Sequence, residues 1–179
     1  AAQTANYREA VEYFSRAVEA KPDFWDAQIN LGRSLRELGQ LPRALEIFEA
    51  VLKKHPKAGP VHEQLGLTLL DAGQHSKAIK SLRKAIKLAP ELASAHTNLA
   101  KALMDTGELA GAQASYRRSI ALNPGNPVAN HGLSMIKRFK QADDPDLAAM
   151  RSAATTRKWP PASFAQLGFA LGKAYDDLG

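Results

Sequence analysis

Cysteine is absent from the 179 residues, which excludes disulfides and a thiol nucleophile and removes redox chemistry as a guide to compartment. No run approaches the roughly 18 apolar residues that a membrane-spanning helix requires. Aromatics make up only 7% of the chain, and nowhere do they interleave with arginine as a base-stacking platform for nucleic acid would. Neither a phosphate-binding Walker loop nor a dinucleotide glycine fingerprint occurs. Acidic residues are the minority charge, 18 against 24 Lys and Arg, for a formal net charge of +6. With 45% apolar residues the chain has ample material for one elongated core.

Glycine and proline are few but periodic. Gly39, Gly73 and Gly107 recur every 34 residues, as do Pro22, Pro56, Pro90 and Pro124, with Ala10, Ala44, Ala78 and Ala112 between them. A fixed period of this length marks an array of stacked helix-turn-helix units. In register, the complete units are residues 25–58, 59–92 and 93–126, with Trp25, Gly59 and Ala93 at position 1. Leu31, Leu65 and Leu99 then stand at position 7, Gly32, Gly66 and Ala100 at position 8, and Phe48, Leu82 and Tyr116 at position 24. Small residues at positions 8 and 20 let the two helices of a unit approach closely, and large ones at 7, 11 and 24 fill the space between neighbouring units. The glycine at position 15 ends the first helix in a left-handed conformation, and the proline at position 32 stops the second.

The register predicts residues 1–24 as the second half of a repeat carried by Tyr7, Ala10, Phe14 and Ala17, whose first helix would lie before Ala1. Residues 127–160 read as a degenerate repeat, because Gly132, Ser134 and Lys137 depart from the pattern. Asp144-Pro145 predicts an N-cap opening a helix to about Ala154, followed by a loop over 155–161. Ser163 and Gln166 have capping-box spacing at the start of the last segment, 161–179. There Leu171, Gly172, Tyr175 and Gly179 match positions 7, 8, 11 and 15, four residues out of period. This segment reads as the first helix of a further repeat, with its apolar edge predicted to favour self-association.

The charge excess sits mainly on second helices, for example Lys77, Lys80, Arg83, Lys84 and Lys87, and on residues 137–158. That placement favours a solvated outer face over a phosphate-binding one, and neither nucleic acid nor membrane is expected as a partner. His62 and His96 share position 4, but equivalent residues of neighbouring repeats are separated by about a helix diameter, roughly 10 Å. Two such nitrogens cannot both reach a zinc ion at about 2.1 Å, so a packing role is expected and no metal or cofactor is. Ser81 to Lys84 and Ser134 to Lys137 fit Ser-x-x-Lys without its companion motifs. The chain is read as no enzyme.

The three consecutive matches, residues 25–58, 59–92 and 93–126, resemble the tetratricopeptide repeat. The resemblance implies an all-α fold, an α-solenoid wound as a right-handed superhelix, with a concave groove lined by positions 2, 5, 6, 9, 12 and 13 of the first helices. It implies protein or peptide recognition there. Position 6 supplies Asn30, Gln64 and Asn98, a ladder of amides that can pair with any peptide backbone. Such ladders occur in the repeat region of the O-linked GlcNAc transferase, and asparagine is also frequent at this position in the family at large, so ladder and plain consensus are both open readings. Position 9 supplies Arg33, Leu67, Lys101 and Met135, and position 12 supplies Arg36, Leu70, Met104 and Arg138. The apolar members either meet ligand side chains or are partly buried between helices, and the acidic series Glu37, Asp71 and Asp105 at position 13 would select against acidic ligands. Where the family's chaperone-carboxylate clamp needs lysine and asparagine, this chain has Ile29, Arg33, Gln64, Ser94 and Asn98, so that clamp is absent.

Residues 143–150 (DDPDLAAM) and 167–179 (LGFALGKAYDDLG) also resemble the end of the repeat region in bacterial proteins where such an array precedes a sulfotransferase domain. The alternative function is therefore a non-catalytic recognition arm of a larger transferase, a sulfotransferase before a glycosyltransferase. The favoured compartment is the cytoplasm.

Overall fold

A computed structural model describes residues 2–156 and 159–179. Ala1, Arg157 and Lys158, and with them parts of the expected 155–161 loop and of the basic segment, lie outside the described residues. Ten α-helices and no strand occur among the described residues. The chain divides into two compact units, Ala1–Pro90 and Glu91–Gly179.

The first unit holds α1 (Ala2–Ala20), α2 (Trp25–Glu37), α3 (Leu41–Lys54), α4 (Gly59–Asp71) and α5 (His75–Leu88), each packed against the next. Helices α2 and α4 are first helices, α3 and α5 second helices. The turn between them is set by glycine. Gly39 has φ 73° and Gly73 φ 69°, and the residues around them close a Schellman motif. Gly39 N donates to Arg36 O at 2.8 Å and Gln40 N to Leu35 O at 2.9 Å, with Gly73 and Gln74 repeating the pattern onto Leu70 and Leu69. The small residue at position 8 is equally required. A Cβ on Gly32 would lie 2.7 Å from Phe48 Cζ, and one on Gly66 would lie 2.7 Å from Leu82 Cγ. Phe48 and Leu82 are fully buried as a result.

The second unit holds α6 (Ala93–Asp105), α7 (Leu109–Leu122), α8 (Pro127–Ile136), α9 (Pro145–Thr156) and α10 (Pro161–Asp176). Helices α6 and α7 form the same glycine-turned pair, with Gly107 at φ 79°. Beyond them the pattern changes. Gln141 stands where the turn glycine would be, and α8 stops early, its C-cap Lys137 extended at φ −111°, ψ 133°. A non-helical connector, 137–144, follows, and it is α10 that packs along α8 while α9 packs on α10.

The connector is held by side chains without repeat counterparts. Phe139 is buried in a core with Leu133, Leu147, Met150, Leu167 and Ala170, and its amide donates to Asp177 Oδ2 at 3.0 Å. Lys137 binds Asp144 and Asp146, and Arg117 grips Asp146 through Nε and Nη2 at 3.0 and 2.9 Å. The bond to Asp146 holds the Arg117 guanidinium above its usual range. Burial works against ionisation of Asp144, but hydrogen bonds from Lys137 and the Asp146 amide outweigh it and hold that carboxyl low. The expected N-cap is in place, Asp144 Oδ1 accepting from Asp146 N at 3.0 Å. The capping box expected at Ser163 and Gln166 is not. Proline at the first helical position is already set for helix and has no N–H to satisfy, so α10 opens at Pro161 after Pro160 and Ser163 falls inside the first turn. Trp159 anchors the approach to α10. Its ring lies against Gly125, where a Cβ would come within 1.2 Å of it, and its Nε1 donates to Ala153 O at 2.8 Å.

Candidate peptide-binding groove

In the first unit, α2 and α4 carry the groove positions. Asn30 and Arg33 share a cleft of about 230 Å³ with Tyr7 and Phe14 of α1 and with Ser34 and Glu37. The cleft thus combines an amide, a cation, a carboxylate and two rings. Tyr7, Phe14 and Glu37 extend the residue set that the repeat register nominates. The register missed the two rings because they sit on α1, outside the first helices. Asn30 is half-buried, as are Gln64, Leu67 and Leu70, while Arg33 is exposed. The Gln64 Oε1 atom is buried and accepts no hydrogen bond. Arg36 binds Glu37 and reaches Asp71 at 3.5 Å, and its Nη1 is buried without an acceptor. The position-13 carboxylates Glu37 and Asp71 are therefore matched by a cation of the same face.

In the second unit, α6 presents Asn98 and Met104, both half-buried, and exposed Lys101. On α8 the groove positions are largely apolar, with Met135 58% exposed and Val128 also in solvent. Gly132 interrupts the amide series for a steric reason, since a Cβ there would lie 2.3 Å from Tyr116 Cζ. Burial, with the charge of Asp105 adding, pushes the Tyr116 phenol up to about 12. It is a neutral packing group.

Position 4 performs a task that its spacing did not reveal. Gln28 Nε2 donates to Pro22 O at 2.8 Å, His62 Nε2 bonds Pro56 O at 3.0 Å, and Asn130 Nδ2 donates to Pro124 O at 2.9 Å. A carbonyl can only accept, so His62 carries its proton on Nε2. Each of these side chains closes the loop before its own helix. The signal was present in the sequence as an N–H donor at every position 4: Gln28, His62, His96 and Asn130. His62 is thus a structural group in a buried site, and among the described residues no cluster of three or more His, Asp or Glu could hold a metal ion. The cations of α5, Lys77, Lys80, Arg83, Lys84 and Lys87, are all exposed. No helix among the described residues is long and apolar enough to cross a membrane.

A family profile, the tetratricopeptide repeat, matches residues 1–59 and 64–127. No curated protein matches the sequence significantly. Among solved structures, a thermophilic tetratricopeptide repeat protein of Thermus thermophilus superposes with a TM-score of 0.74 at 21% identity, covering 93% of this chain and 91% of that one. MamA superposes with a TM-score of 0.67 at 17% identity, over 98% of this chain and 90% of its own. A MamA fragment from Desulfovibrio magneticus RS-1 gives 0.61 at 25% identity, over 70% and 71%. These likenesses establish the fold.

Proposed function

Because the chain belongs to the tetratricopeptide repeat family, a fold that serves typically as a non-catalytic scaffold for protein partners, we propose that it binds an extended peptide segment along the first-helix face of its repeats. The observation that carries this reading is the cleft around Asn30 and Arg33, where amide, charge and aromatic surface meet without being consumed by the core. An amide offers both a donor and an acceptor to a peptide backbone. Asn30, Gln64 and Asn98 supply it sequence-blind, while Arg33, Leu67, Leu70, Lys101, Met104 and Met135 select side chains; Arg36, engaged by Glu37 and Asp71, shapes the wall between them. Exposed Met135 and Val128 suit an apolar ligand residue, Met adapting to several shapes.

The recognition-arm reading would use the same groove. Its distinguishing resemblance, residues 143–150, falls on groups that the fold itself requires: Asp144 caps α9, Asp146 binds Lys137 and Arg117, and Leu147 and Met150 are buried. That similarity therefore speaks for a shared architecture before a shared activity. A second mode of partnership, self-association, is supported by the exposed apolar face of α10.

Peptides selected on this chain from a displayed library provide the test, followed by calorimetry. The Asn30→Ala/Asn98→Ala variant should lose about 1 to 3 kcal/mol for two typical hydrogen bonds and should do so to a similar degree for unrelated peptides. Leu67→Ala and Arg33→Glu should discriminate between them. Unchanged affinity in a folded double variant would remove the amides from the mechanism.

A further inference from the structure

We infer that a trough between the second helices α3 and α5 receives one amphipathic helix of a protein partner, a helix whose apolar stripe runs between a basic edge and an acidic edge. The trough has a volume of about 520 Å³, and its walls and floor belong to the complete repeats 25–58 and 59–92. Pro42, Leu45, Glu46 and Glu49 form one wall, spaced i, i+3, i+4 and i+7 along a single face of α3. Lys77, Lys80 and Ser81 form the other, at i, i+3 and i+4 on α5. The two walls therefore carry opposite charge. Leu65 and Leu69 of α4 make the floor. Leu65 packs on the core beneath it, yet it is only half-buried, whereas Leu31 and Leu99 at the same repeat position are each 8% exposed. Leu45 is likewise half-buried.

The chemistry of the walls specifies the occupant. Glu46, Glu49, Lys77 and Lys80 are all exposed. Among the described residues the side chains of Glu46, Glu49 and Lys80 make no ion pair or hydrogen bond, and Lys77 bonds a neutral acceptor, Gln74 Oε1, at 2.8 Å. The two rows of charge do not neutralise each other across the gap, so a ligand with cations on one edge and carboxylates on the other complements both. Both walls are α-helices, whose backbone groups pair within the helix, and they leave little to bond the backbone of an extended peptide. A helix satisfies its own backbone and needs only side-chain contact, its apolar stripe on the leucines and its flanking residues on the walls. From Pro42 to Glu49 the wall runs about 10 Å, two helical turns, and seats about as much of a partner. The charges also set direction. Turning such a helix end for end exchanges its edges, so a single orientation brings the basic edge to α3 and the acidic edge to α5.

The probe is a stapled helical peptide with a leucine stripe, lysines along one edge, glutamates along the other and a fluorophore at its N-terminus, its binding read by fluorescence anisotropy. A composition-matched isomer with the two charges mixed on both edges should bind at least ~10-fold more weakly, a factor worth about 1.4 kcal/mol. So should the unstapled peptide broken by a central proline, which cannot stay helical. Glu46→Lys/Glu49→Lys and Lys77→Glu/Lys80→Glu should each weaken the probe by a similar factor while keeping the native melting temperature, since all four side chains are exposed. The chain with all four reversed should recover the probe, bound end for end. Because the chain has no cysteine, Ala50→Cys, exposed just beyond Glu49, takes a single spin label at one end of the trough. Its quenching of the fluorophore should differ between the native and reversed walls. No binding of the probe, equal binding of the mixed isomer, charge variants that bind normally or equal quenching on the two walls would each overturn the proposal. Equal binding of the proline peptide would make the occupant an extended segment and overturn it too. The Asn30→Ala/Asn98→Ala variant should bind the probe normally; a loss there would move the helix to the first-helix groove and overturn the trough as its site.

Discussion

Replacing His62 by glutamine should remove an acid-sensitive share of the protein's stability while keeping the junction that His62 closes. His62 is only 6% exposed and donates to the Pro56 carbonyl from Nε2. Burial pushes its pKa below the ordinary 6.5, the nearby Lys84 charge adds to this, and the bond to Pro56 opposes it. An unfolded chain therefore takes up the proton first as pH falls. With more protons on the unfolded state, stability rises with pH: this contribution is complete above 6.5 and is lost as pH falls through the folded value. One proton sets the steepest slope at about 1.4 kcal/mol per pH unit. Gln28 makes the equivalent bond to Pro22 O at 2.8 Å, so His62→Gln should fold with the same closure and no titration. His62→Ala should instead lie about 0.5 to 1.5 kcal/mol below His62→Gln at every pH, the typical net worth of the bond to the Pro56 carbonyl. Urea unfolding of the three proteins between about pH 7 and 5 reads this directly. A gap between native and His62→Gln proteins that does not change with pH would refute the reasoning.

Gly32→Ala and Gly66→Ala should each cost about 1 to 3 kcal/mol by overpacking, lowering the melting temperature, because the added carbon meets Phe48 or Leu82 at 2.7 Å. Gly125→Val should expel the Trp159 ring, shifting tryptophan emission to longer wavelength; an unshifted spectrum would mean that the ring does not rest there. Asp146→Ala removes the carboxylate that Arg117 grips and leaves Lys137 with Asp144, and should cost about 1 to 3 kcal/mol for lost charge-assisted bonds. A change within experimental error would show that Asp146 does not help to hold the connector.

The paired helices of 25–126 were legible because small, large and turn residues recur at a spacing that few folds can satisfy, and the left-handed glycines close each turn as the register requires. The region after Ile136 was less so. Its architecture depends on Phe139, on Lys137 and Arg117 reaching carboxylates up to 29 residues away, and on Trp159 resting against Gly125. Such contacts leave no periodic trace. The Ser163 capping box misled because local spacing cannot rank itself against a preceding proline pair. Of the groove, the register nominated Asn30 and Arg33, which share a cleft, but it could not see that Arg36 is engaged by Glu37 and Asp71.

The position-4 bond also bears on how such a chain can grow. Glutamine, histidine and asparagine all make the same closure onto the loop behind them, so the seam between one 34-residue block and the next does not depend on which block precedes it. A duplicated or transplanted block brings its own fastener and needs only a carbonyl, which every residue supplies. This closure can therefore be kept when blocks are added or exchanged, while the apolar packing across the seam must still match, and the residue chosen at position 4 lets acid sensitivity be written into one seam and left out of the next.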